Sequence, residues 1–131
     1  MRTLAATLIS LCLFAGAAAA QQAPNERVTA MPKSEEVRAV APALESYSQK
    51  FVVDDLWKRP GLSRRDRGIV TVAALIARDQ TVELPHYLTL ALDSGVKPSE
   101  ISEIITHLAF YSGWPTAVNA VTAAKEVFSK P

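Results

Sequence analysis

The chain has 131 residues, with 14 Lys and Arg against 13 Asp and Glu, so its formal charge is +1. So even a balance, without a clustered basic surplus, excludes the electrostatic footprint of a nucleic-acid binder. The single cysteine, Cys12, excludes a disulfide framework within the chain.

Residues 1–20 read as a secretory signal peptide. Arg2 supplies a positive start, Leu4 to Ala15 is a mostly apolar run, and Ala18-Ala19-Ala20 before Gln21 fits a small-residue cleavage site. Cleavage after Ala20 predicts a periplasmic or secreted protein with no membrane segment of its own. It also removes Cys12 and Arg2, leaving a neutral polypeptide without a thiol. Residues 21–32 are polar and carry Pro24 and Pro32, which predicts a flexible arm. Residues 33–131 are expected to form one domain.

Ser34 before Glu35 and Glu36 predicts a helix N-cap with acids in the first turn. Pro42 interrupts that helix or starts the next, since proline suits a first turn and not an interior. Leu44, Tyr47, Ser48 and Phe51 keep a helical period up to Trp57, and Pro60-Gly61 is a turn. The basic groups Lys58-Arg59 and Arg64-Arg65-Arg67 read as solvated helix ends. Ser63 and Asp66 form a capping pair that opens a helix through Asp79. That helix is apolar on two faces, Ile69, Val72, Ala73 and Ile76 on one and Val70, Ala74 and Ala77 on the other, which predicts burial on most sides.

The next helix is expected over about 82–94, stopping at Gly95, a residue suited to a left-handed position past the helix end. Its apolar stripe is Leu84, Tyr87, Leu88, Ala91 and Leu92, with His86 turned away. Pro98 and Glu100 begin another helix, with a stripe of Ile101, Ile104, Ile105, Leu108 and Ala109. Gly113 ends it, and Pro115 starts the last helix, which continues through Val118, Val121, Thr122, Lys125 and Phe128. No segment alternates with period two long enough for a strand. The fold class is therefore all-α, a compact domain of five to six helices. Its apolar surplus predicts assembly through helix faces into a homo-oligomer.

Candidate chemistry gathers between residues 80 and 115. Glu83 and Tyr87 lie one turn apart, as do Glu103, His107 and Tyr111. Glu83 can serve as general acid or base with Tyr87 as hydrogen-bond partner. His107, beside Ile104 and Tyr111, is expected to be half-buried, a position suited to proton transfer. Arg67 is a candidate anchor for a substrate carboxylate, and His86, Tyr111 and Trp114 are candidate substrate contacts. Each has a structural alternative: a dipole-favouring acid for Glu83, a histidine held by Glu103 for His107, a subunit contact for His86, core or interface aromatics for Tyr111 and Trp114, and a solvent-facing arginine for Arg67. The histidines show no metal-ligand spacing, so no metal site is expected.

The segments LWKRPGLSRRDRGIVTVAALIA, ELPHYLTLALDSGVKPSEI and HLAFYSGWPTAVNAVTAAKEVF resemble the carboxymuconolactone decarboxylase family, which includes the alkylhydroperoxidase D-like proteins. The resemblance implies an all-helical subunit assembling into trimers or hexamers, with sites near subunit contacts. Its peroxidase members carry Cys-x-x-Cys and a histidine at positions 80, 83 and 87, where this chain has Gln80, Glu83 and Tyr87. A peroxiredoxin-like activity through that route needs a thiolate and a resolving thiol, and neither is present there. Decarboxylase-like members have Glu and His at positions 83 and 87; Glu83 matches, Tyr87 does not, and His86 stands about 100° around the helix. The resemblance thus implies cofactor-free proton-transfer or decarboxylation chemistry on a small unsaturated lactone or carboxylate, with Glu83, Tyr87 and His107 as catalytic groups. The alternative is a non-catalytic oligomer of the envelope that binds a ligand or partner.

Overall fold

Proline and cap residues divide the chain into short helices, and a computed structural model shows where each begins. It describes residues 30–129. The expected signal peptide and most of the expected arm, residues 21–29, lie outside the described residues. Among the described residues all regular structure is helical: α1 (Ser34–Val40), α2 (Pro42–Tyr47), α3 (Arg64–Ala77), α4 (Leu84–Asp93), α5 (Pro98–Ser112) and α6 (Trp114–Phe128). Between α2 and α3 run a π-helical turn, Ser48–Val53, and a 3₁₀ turn, Leu56–Lys58.

Boundaries follow local chemistry. The first cap is Lys33 rather than the expected Ser34; its backbone N–H donates to the Glu36 carboxylate at 2.7 Å, so Ser34 already stands in the first turn. Pro42 occupies the first position of α2. The Asp66 backbone N–H donates to Ser63 Oγ at 3.0 Å, the expected cap of α3. Lys97 N–H donates to the Glu100 carboxylate at 2.9 Å and opens α5. After α4, Gly95 takes φ 95°; its N–H reaches Leu92 O, and Val96 N–H reaches Ala91 O at 3.0 Å. These paired bonds satisfy carbonyls that the helix end would leave open. The end of α3 repeats the pattern with Asp79 at φ 54°, an unusual conformation for a residue other than glycine, and the Asn119 side chain donates to the Asp79 carboxylate at 3.0 Å.

Helices α3 to α6 form the core. Helix α3 packs on α4 and α5, and α6 closes the ring on the other side, so α4 and α5 occupy opposite corners. Val72, Ile76, Leu84, Leu88, Ala91 and Ile101 are buried at its centre. The α4 and α5 stripes read from the sequence face this interior, Tyr87, Leu92, Ile104, Leu108 and Ala109 in partial contact with it. Gly68 makes the α3–α4 approach possible: a methyl group there would stand 3.1 Å from Ala91 Cα.

One expectation about a helix face is corrected. Helix α3 is buried on one side only, because Val70, Ala74 and Ala77 are exposed. On α6 the buried face is made of Ala117, Ala120, Ala123, Ala124 and Val127, whereas Val118, Val121 and Phe128 point out. Alanine lets the α6 backbone approach its neighbours closely, and the larger residues are left for another surface.

The N-terminal layer, residues 30–58, is built differently. Val40, Leu44, Tyr47 and Phe51 are all exposed, and the one buried residue of the layer is Glu45, 7% exposed and 3.6 Å from Arg38. The layer meets the core through its 3₁₀ turn against α3.

Candidate functional site

The site is a chamber of about 790 Å³ between the N-terminal layer and α4. One wall comes from Ala30–Ser34, from Ser48, Val52 and Val53 of the π-helical turn, and from Trp57 and Lys58. The opposite wall is Val82, Pro85, His86, Tyr87 and Leu90, with Arg64 and Glu126 closing the sides. π-helical turns, wider than α-helical ones, recur at functional sites. Here that turn brings Ser48 and Val52, one turn apart, onto the same chamber.

Local structure explains the placement. The Ser63 cap fixes the start of α3, which sets Arg64 at its first position facing the chamber. One turn on, the Arg67 Nη2 donates to the Arg59 carbonyl at 2.8 Å and holds the end of the 3₁₀ turn against α3, while its buried Nε has no protein partner. Lys58 is paired to Asp54 at 2.7 Å. Hydrogen bonds from Lys58 and then Gln49 keep the Asp54 carboxyl below its ordinary value. Among the described residues neither Arg64 nor Lys33 has a carboxylate within ion-pair distance. The chamber therefore carries two cations open to an incoming anion, facing the single acid Glu126.

His86 and Tyr87 stand together in the α4 wall, ring centroids 5.0 Å apart and nearly perpendicular at 85°. His86 is exposed and Tyr87 half-buried, so an imidazole and a phenol border the same space. Glu83 is the residue immediately before α4, half-buried and one turn from Tyr87, whose N–H donates to the Glu83 carbonyl at 3.3 Å. It does not line the chamber.

His107 is placed otherwise than its sequence setting suggested. It is exposed, not half-buried, because the α5 stripe that borders it turns inward through Ile101 and Ile105. Its ring stacks on Tyr111 at 4.6 Å, with 23° between planes. Tyr111, 77% exposed, and Trp114, 68% exposed, continue the same outer surface with Phe110. None of His107, Tyr111 and Trp114 lines the chamber, and α5, which carries the first two, lies diagonally across the core from α4. Arg67 likewise does not line it; Arg64, one turn earlier, does.

Reading the sequence missed Lys33, Trp57, Lys58, Arg64 and Glu126. The basic residues looked like solvated helix ends, and Trp57 like the end of a helical period. The usable signal was Trp57 beside Lys58 and, across the Pro60-Gly61 turn, the capped start at Ser63-Arg64: aromatic and cationic groups on two segments that a turn must bring close.

An all-helical subunit with a cap-anchored α3, a glycine-terminated α4 and a chamber against α4 defines a class of small helical proteins. The profile described as "Carboxymuconolactone decarboxylase family" matches residues 42–126, and the chain belongs to that family. It is 36% identical over 84 residues to "4-carboxymuconolactone decarboxylase" from Acinetobacter baylyi, covering 64% of this chain and 63% of that protein. It is 31% identical over 74 residues to "Nitrosuccinic acid decarboxylase npaB" from Metarhizium robertsii, covering 56% of this chain and 52% of that protein. The chain thus spans between about half and just under two thirds of the length of these relatives.

Proposed function

We propose that the chain is a decarboxylase-like enzyme that works by proton transfer on an unsaturated lactone or carboxylate bound in the α4 chamber. The observation that carries this reading is that His86 and Tyr87 line the same chamber as the open cations Arg64 and Lys33, in a chain whose relatives are named as decarboxylases of organic acids. In the reaction the bond between carbon and carboxylate breaks and carbon dioxide leaves. The electron pair passes into a conjugated carbonyl as an enolate, and one proton is returned to carbon. Tyr87 donates a hydrogen bond to the developing oxyanion, and His86 supplies the proton and recovers it from water. Arg64 holds a carboxylate or the enolate oxygen. Glu83, one turn before Tyr87 at the start of α4, is the acid or base through which His86 recovers that proton. No cofactor enters this scheme, and His107 has no step within the single subunit.

The test is carbon dioxide release from 4-carboxymuconolactone and from nitrosuccinic acid, the acids in the relatives' names. Replacing both His86→Gln and Tyr87→Phe is expected to lower kcat by about 10²–10⁴ without unfolding the protein. Undiminished turnover in that double variant rules the assignment out. A second reading, a non-catalytic binding protein of the envelope, is favoured by Tyr87 standing where decarboxylase-like members have histidine. Saturable binding of either acid with no carbon dioxide from the intact chain would select it. The exposed apolar residues of the N-terminal layer and of Phe110 to Val121 support a homo-oligomer, a trimer or hexamer, and the leader supports export. Light scattering in solution and the N-terminal sequence of exported protein check these two readings.

A further inference from the structure

We propose that the acid this chamber takes is amphipathic, with an apolar body of about eight carbons or more and a single anionic end. The inference rests on the reading of α4 and the N-terminal layer as the substrate site. Three observations carry it. First, a half-open groove of about 790 Å³ has room for an extended chain longer than a four- or six-carbon acid. Second, both walls are apolar across from each other: Met31, Val52, Val53 and Trp57 on the layer side, Pro85 and Leu90 on α4. A short, doubly charged acid would leave that surface wet and gain nothing from it. Third, the cations open to an anion are few. Lys58 is already neutralised by Asp54, so Arg64 and Lys33 remain against Glu126. That balance suits one carboxylate and opposes a second.

The outer part of this chamber lies outside the stretch matched to the family. Ala30–Ser34, which bring Met31 and Lys33, lie upstream of residues 42–126. Met31 extends the apolar lining with a side chain that adapts its shape to its contact, and Lys33 adds a charge to it. A body longer than the reacting part of the acid would occupy this outer part.

Trp57 reports on the proposal directly. The chain has two tryptophans, and Trp114→Phe in the full-length protein leaves Trp57 as the only indole. Its fluorescence is titrated with hexanoate, octanoate and decanoate, with succinate as a short diacid and 1-decanol as an uncharged match. Affinity is expected to rise roughly three- to fourfold for each buried methylene. It should fall about tenfold for 1-decanol, and about fivefold for decanoate when Lys33→Glu is introduced. A flat chain-length series, succinate binding as tightly as decanoate, or an unchanged affinity in Lys33→Glu overturns the inference. Carbon dioxide release from the two short acids and from 2-nitrodecanoic acid, an α-nitro acid with one carboxylate and a long apolar body, measured on the same preparation, keeps the two readings apart. Turnover without a chain-length preference sinks the amphipathic acid alone, and a steep binding preference with no carbon dioxide from any of the three acids sinks the decarboxylase alone.

Discussion

The four-helix core and the N-terminal layer share one chamber but are held together by different physics. In the core, Val72, Leu88, Ala91 and Ile101 are sealed completely, and Gly68 lets α3 and α4 touch backbone to backbone. In the layer, large apolar residues face outward; the Lys58–Asp54 and Arg38–Glu45 pairs tie it within itself, and the bond from Arg67 to the Arg59 carbonyl joins its end to α3. One wall of the chamber is therefore as stable as the fold, and the other is only as stable as a few hydrogen bonds. Domains commonly draw their ligand-gripping segments from this weaker end of the stability range.

The comparison breaks most sharply at Leu88. Leu88→Ala is expected to cost about 2–5 kcal/mol in denaturant unfolding, whereas Val53→Ala, on the facing wall, should stay within about 0.5 kcal/mol. Equal losses at the two positions would mean that the layer is part of the same cooperative core. A smaller effect is expected at the joint between the two regions. Arg67→Met keeps the aliphatic stem, removes the bond to Arg59 and also removes a buried, unpartnered Nε; the two changes offset, so global stability should move by less than about 1 kcal/mol. Amide exchange at Lys58 and Arg59, whose N–H groups donate to Asp55 and Leu56, should nevertheless quicken, and unchanged protection there would show that Arg67 does not hold the wall.

The smallest effect lies within the core, at its rim. The Lys97 backbone N–H first, and the Arg65 guanidinium second, keep the Glu100 carboxyl below its ordinary value of 4.5. A carboxylate with a depressed folded value adds stability that is complete above its unfolded value and fades as pH falls through the folded one. Glu100→Gln should therefore be slightly less stable than the parent at neutral pH. The gap should close as pH drops below about 4.5, a convergence that thermal melts across pH 7 to 3 would reveal. A gap that widens in acid would contradict the ion pair between Arg65 and Glu100.

Much of the core was legible from spacing alone. Pro42, Ser63, Gly95, Pro98 and Gly113 punctuate the helices, and the α4 and α5 stripes bury the residues that their period selects. Two helix faces were harder. On α6 the spacing did not single out a buried face, and the structure buries the alanines and leaves Val118, Val121 and Phe128 exposed. His107 showed the same ambiguity, since a residue at the border of a stripe turns inward or outward by a rotation that spacing does not resolve. The chamber was less legible still. Its residues come from separate segments spread between Ala30 and Glu126, and only the tertiary arrangement brings Lys33 and Trp57 to the same chamber as Tyr87. Glu83 and Tyr87 were recognisable as neighbours because a single helical turn separates them. Nothing local marked Arg64 over Arg67 as the one that reaches the cavity.

The methyl-lined inner face of α6 carries a last implication. Ala123, Ala124 and Val127 flank Glu126, whose carboxylate borders the binding space. With side chains so short, that helix has no slack: a single larger residue at Ala120 or Ala123 would push the whole rod outward and carry Glu126 with it. Ligand preference in this protein could thus be retuned from deep inside, by changing the thickness of a spacer that never touches the ligand.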